Sequence, residues 1–220
     1  MRSRSIVETL EGRRFFNITV TAFIGSVATA ARAQYDVYAG NTLQSTEVQE
    51  VMGPATFDGH EATRIKSVFT GVSTPTTSEK DQYLTVSPSL GALVYGSVQT
   101  TTDGSYSQKV TQTNDPYEIE SPFSLEAGKT YKYVYTENVE TDENGTITTT
   151  TLEVTRHVTL ESGGPVKLTT PAGTFNVYVL DVKESSSQGT ELVQDWLAPG
   201  VGLVKSQTPD QTVVLTSYKQ

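Results

Sequence analysis

Apolar and polar positions alternate with a period of two along most of the chain. Tyr131, Tyr133 and Tyr135 are separated by Lys132 and Val134, which sets three rings on one face of a strand. Leu152, Val154, Val158 and Leu160 share a face in the next segment. Val177 and Val179 oppose Tyr178 and Leu180, the pattern of a strand buried on both sides. Asn144-Gly145 between the Tyr131–Val139 and Thr146–Leu160 runs predicts a hairpin, and Asp103-Gly104 does the same between Leu93–Val98 and Tyr106–Val110. Gly71–Lys80 and Glu184–Gly189 are polar and Ser/Thr-rich and are expected to be exposed loops. The only helix candidates are short, at Pro122–Ala127 and Thr42–Gln49.

The first 33 residues break this pattern. Arg2, Arg4, Arg13 and Arg14 precede a mostly apolar run from Phe15 to Ala31, and Ala31-Arg32-Ala33 places small residues at −3 and −1. That layout predicts a signal peptide over 1–33 and a single β domain over 34–220. Asn17, Thr19, Thr21 and Ser26 interrupt the run too often for a comfortable membrane span, which favours cleavage over an anchor, and with no second long apolar run no span is expected after cleavage. Arg13-Arg14-Phe15-Phe16 keeps twin-arginine export open beside general secretion. Periplasmic or extracellular localisation follows.

Composition sharpens the picture. Residues 34–220 contain 31 Thr, 22 Val and 11 Tyr but only seven Ala, a balance that favours pleated sheet over helix. With 11 basic against 23 acidic residues this region carries −12, more than the −9 of the whole chain. No basic patch is available for a phosphate backbone, so nucleic acid is not an expected partner. The chain has no cysteine, which excludes disulfides, thiolate metal sites and a lipid-anchored cysteine.

The two halves echo each other over about 46–98 and 166–218. Pro54-Ala55-Thr56-Phe57-Asp58, Tyr83-Leu84 and Gly91-Ala92-Leu93-Val94 match in order Pro171-Ala172-Gly173-Thr174-Phe175-Asn176, Trp196-Leu197 and Gly200-Val201-Gly202-Leu203-Val204. Chance among Thr/Val-rich strands is the competing account. An internal repeat predicts an all-β fold: a strongly curved antiparallel sheet or half-barrel of two related meanders joined by the long hairpin at 129–160.

Thr170–Phe175 and Trp196–Ser206, with Pro122–Tyr131, resemble exported bacterial proteins of unknown function, the TapB-like and related families grouped with lipoprotein-carrier-like β half-barrels. The resemblance implies a concave face that holds lipid tails or acylated peptides. Tyr131, Tyr133, Tyr135, Tyr178 and Trp196 are the candidate ligand-binding residues; core packing is the alternative role for each aromatic.

Chemistry-bearing motifs are sparse. His60 and His157 are far apart in the chain, neither has a second His at ligand spacing, and His60-Glu61 alone is a weak metal signal. There is no Gly-x-Ser-x-Gly elbow and no phosphate-cradling glycine loop. Glu140–Thr151 only partly follows a calcium loop, with Glu140 first and Thr151 where a bidentate Glu belongs. No catalytic residue, metal or cofactor is expected. The leading expectation is a non-enzymatic binding or accessory protein of the cell envelope, holding an apolar ligand, lipid or extended peptide. The alternative is an assembly module acting through sheet edges, and an enzyme with His60 or His157 as base is a third reading. Oligomeric state is not legible.

Overall fold

The structure, a computed structural model, describes residues 31–73, 76–87, 89–104, 106–122, 125–161 and 165–219. The predicted signal lies almost wholly outside them.

Among the described residues every regular element is a strand: β1 (Arg32–Ala39), β2 (Thr42–Phe57), β3 (His60–Gly71), β4 (Thr77–Ser87), β5 (Gly91–Asp103), β6 (Tyr106–Pro122), β7 (Thr130–Glu143), β8 (Thr146–Leu160), β9 (Val166–Thr170), β10 (Gly173–Ser186), β11 (Gly189–Ala198), β12 (Gly202–Gln207) and β13 (Thr212–Lys219). Neighbours in sequence pair antiparallel from β1 to β8. β13 returns to pair with β1, and β10 pairs with both β8 and β11. These two contacts close the sheet on itself. β9 continues the column of β8 along β10, which leaves twelve columns in a closed barrel.

The half-barrel expectation is therefore corrected while its all-β, antiparallel character stands. Closure removes two edges that an open sheet would expose, a strong reason to close once enough strands are present. The helix expected at Thr42–Gln49 is instead the first half of β2, because Glu47, Gln49 and Val51 alternate inward. At Pro122–Ala127, Pro122 ends β6 and Ala127 bridges Leu160. The loop expected from Glu184 starts later: β10 runs to Ser186 and Glu184 is buried. β1 begins at Arg32, where Arg32 Nε lies 3.2 Å from Glu50 Oε1, so cleavage after Ala33 would take the strand's first two residues.

Both predicted hairpins form. Asn144 and Gly145 adopt φ of 50° and 87°, the left-handed pair that a tight two-residue turn requires. Two bulges fall at matching places: between Tyr83 and Leu84 against β5, and between Trp196 and Leu197 against β12.

The interior is divided. On β1, β8 and β10–β13, Tyr35, Val158, Leu180, Val204, Val213 and Leu215 form an apolar core. Leu168 and Phe175 of the β9–β10 hairpin fold against that core, and Phe175 meets Tyr218 edge-on at 5.8 Å. On β2–β7 much of the inward face is polar. Cross-strand register aligns Gln49, Ser67, Lys80 and Gln99 in one row and Gln82, Ser97 and Gln112 in the next. All seven are buried. The inward side chains named on both halves are buried.

Candidate functional site

Two places concentrate chemistry: an ionic cluster inside the barrel and a groove on its outer wall.

Arg156 stands on the inward face of β8 between Val154 and Val158. Its Nη1 lies 3.0 Å from Glu118 Oε1 and also bonds Glu184 Oε1, while Nη2 donates to the Glu120 carbonyl at 3.1 Å. Arg156, Glu118 and Glu184 are only 4%, 2% and 5% exposed. Lys80, Glu47, Glu120 and Glu137 complete the cluster, each buried, and Lys80 feels the charge of Glu118, Glu47, Glu120 and Glu137. Burial pushes Glu118 up to about 7 against the pull of Arg156, and pushes Glu120 up to about 8 with help from Glu118. Burial also draws Lys80 down to about 8. Oε2 of Glu120, Nε of Arg156, Oε1 of Gln49 and Nε2 of Gln82 have no hydrogen-bond partner among the described residues.

Parity pointed to part of this cluster. Arg156 lies on the face shared by Leu152, Val154, Val158 and Leu160, and Glu137 continues the face of Tyr131, Tyr133 and Tyr135. A charged residue in an apolar register is the signal that was available.

The groove is solvent-open, with a volume of about 670 Å³, and is lined by residues of β7, β8, β10 and β11, most of them outward-facing, and by Gln207 and the β12–β13 turn. One cross-strand row is Thr130, Thr159, Asp181, Gln194 and Gln207; the next is Lys132, His157, Lys183 and Leu192. Thr130 and Thr159 hydroxyls are 2.8 Å apart. Gln194 Nε2 donates to Asp181 Oδ1 at 3.0 Å and to Glu161 Oε1 at 2.8 Å. Partial desolvation and the neighbouring Asp181 raise the pKa of Glu161. Leu192 is 54% exposed at the rim. Nothing in the sequence marks this groove, because its rows exist only once strand register is known.

None of the five aromatic candidates lines the groove. Tyr135 is buried beside Leu152 and Val154, within the field of Glu118, Glu184 and Arg156. Tyr133 and Tyr178 pack on the apolar core. Tyr131 accepts a bond from the Glu126 amide at 3.1 Å and lies under Lys129. Trp196 packs on the core and carries Lys205 Nζ 4.2 Å from its ring centre. The structure therefore distributes these residues among separate environments. The histidines are separate too: His60 stacks on Tyr95 at 4.3 Å, and His157 lies in the groove floor. The suspected calcium segment is the β7–β8 turn, in which Gly145 N donates to Asp142 Oδ1 at 2.7 Å.

Fold and sites define a closed antiparallel barrel with a charged interior and an external groove. Residues 97–220 match the DUF3108-like family model, and the chain belongs to that family. The matched stretch contains the motifs at Thr170–Phe175 and Trp196–Ser206. The fold is similar to a crystal structure of a candidate lipoprotein from Parabacteroides distasonis ATCC 8503, with TM-score 0.50 and 15% identity over 87% of this chain and 96% of that one. A candidate exported protein with a YmcC-like fold from Bacteroides fragilis NCTC 9343 aligns with TM-score 0.49 and 12% identity over 88% of this chain and 97% of that one. Among curated proteins none matches the chain.

Proposed function

We propose that the protein is an exported, non-enzymatic binding protein of the cell envelope, and that its ligand lies in the outer groove. The observation that carries this reading is the groove itself. Its volume of about 670 Å³ falls in the range of small-molecule sites, and it combines positioned polar groups with exposed apolar surface. The groove opens on the outer wall, where a lipid chain or extended peptide can lie. The Parabacteroides relative, a candidate lipoprotein, agrees with an envelope location. Mass spectrometry of the protein purified from its own compartment should detect a bound small molecule or peptide. Leu192→Glu should release it; retention of cargo by that variant would place the seat elsewhere.

A second reading rests on one edge. β10 covers β8 only from Thr155 to Leu160, so among the described residues Thr146–Val154 is paired on one side alone. Its outward threonines and Ile147 are exposed, which suits addition of a partner strand. Sizing and crosslinking of the purified protein test it: a strict monomer without a captured partner sinks the assembly role.

A further inference from the structure

The row Lys132–His157–Lys183 crosses three adjacent strands at the floor and flank of the groove. Lys132 and Lys183 each stand directly opposite His157, with Cβ atoms of such pairs about 4.5–5.5 Å apart. Neither lysine is ion-paired with any described residue. Asp181, two positions from Lys183 on the same face, makes no ion pair with it and accepts a hydrogen bond from Gln194, which also donates to Glu161. Between the lysines, His157 Nδ1 is shielded from solvent and has no hydrogen-bond partner. Beside the row, Leu192 supplies exposed apolar surface. A protein with nine net negative charges thus gathers two lysines without an ion-pair partner, with a histidine between them, at the edge of a ligand-sized groove.

We infer that this row binds the anionic head, a carboxylate or a phosphate, of a ligand whose apolar body lies along Leu192. The inference rests on the groove being the ligand seat and goes further by assigning the ligand's charge and orientation. The head would be held by Lys132 and Lys183 from either side. The side of the groove that holds Asp181 and Glu161 disfavours a second anion, so the ligand carries one head and not two.

Calorimetric titration of the purified protein with decanoate, decyl phosphate and decanol tests this, with amide shifts of groove residues followed in parallel by NMR. At least one of the two anions should bind about tenfold tighter than decanol, an advantage consistent with two partly screened ion pairs. Which anion binds tighter separates carboxylate from phosphate. The preference should shrink in 0.5 M salt and vanish in a Lys132→Gln/Lys183→Gln variant, while Lys109→Gln on β6 leaves it intact. Both lysines are exposed, so the variant should melt as the parent does. Equal binding of all three probes at the groove, in parent and variant alike, overturns the anion site and leaves the groove reading standing. Failure of every probe to shift groove amides overturns both.

Discussion

Arg156 is the residue on which the charged half of the barrel depends. Its guanidinium faces Glu118 and Glu184 with little solvent to screen either pair. Replacing it by Leu leaves two buried carboxylates without their counter-charge, and breaking a buried pair in this way costs about 3–5 kcal/mol. Urea unfolding of Arg156→Leu should show a loss of that size. A triple change, Arg156→Leu with Glu118→Gln and Glu184→Leu, should recover much of it, because the penalty arises from the orphaned charges rather than from lost attraction. A loss below about 1 kcal/mol in the single variant would mean that water reaches the cluster. The same residue marks what a sequence reader can and cannot see. The face of β8 is legible from its period of two, and so is the intrusion of Arg156 into it. The partners are not, since Glu118 and Glu184 lie 38 and 28 positions away and meet it only through register. Glu184 was hidden further by its neighbours: Ser185, Ser186, Ser187 and Gly189 disguise the end of β10 as a loop.

At the scale of elements, the β4–β5–β6 meander is set by one glycine. Gly96 pairs with Tyr83 on one side and Thr113 on the other, beside a bulge in each ladder. A Cβ on Gly96 would lie 2.1 Å from the Gln112 carbonyl oxygen and 2.7 Å from a ring carbon of Phe57. Phe57 in turn stacks on Tyr83 at 4.3 Å. The glycine therefore lets the end of β2 close over the meander. Gly96→Ala should cost about 3 kcal/mol, the upper end of overpacking, because a backbone oxygen cannot turn aside. Gly145→Ala is the contrast: nothing lies within 4 Å of its Cβ, so only the backbone at φ 87° is penalised, by about 1–2 kcal/mol. Denaturation of the two variants side by side should rank them in that order, and the reverse ranking would refute the steric account. A glycine inside a strand pattern signals such a close approach in the sequence itself. Closure of the barrel carries no comparable signal. An open curved sheet and a closed one share the same alternation, and the deciding contacts, β13 on β1 and β11 on β10, are questions of which strands meet.

For the whole molecule, the interior cluster makes stability a function of pH with a defined shape. Glu118 and Glu120 titrate in the folded protein near 7 and 8, against an ordinary value of 4.5, so between those limits the folded chain holds protons that the unfolded chain has released. Stability must then fall as pH rises through this window. Lys80 acts in the opposite sense at higher pH. Its folded value near 8 lies below the ordinary 10.5, so above pH 8 the unfolded chain binds the extra proton and stability recovers as pH rises further. The two effects meet in a minimum close to pH 8. Surface carboxylates are ionised well below this range and add little slope between pH 6 and 8, which isolates the buried groups. Thermal melting at pH 6, 8 and 10 should give the lowest Tm at pH 8. Glu120→Gln should flatten the decline on the acid side, and Lys80→Met the rise on the alkaline side. A profile flat from pH 6 to 10 in the parent protein would show that the charged interior is hydrated. The division into an apolar and a charged half would then be one of composition without an electrostatic consequence.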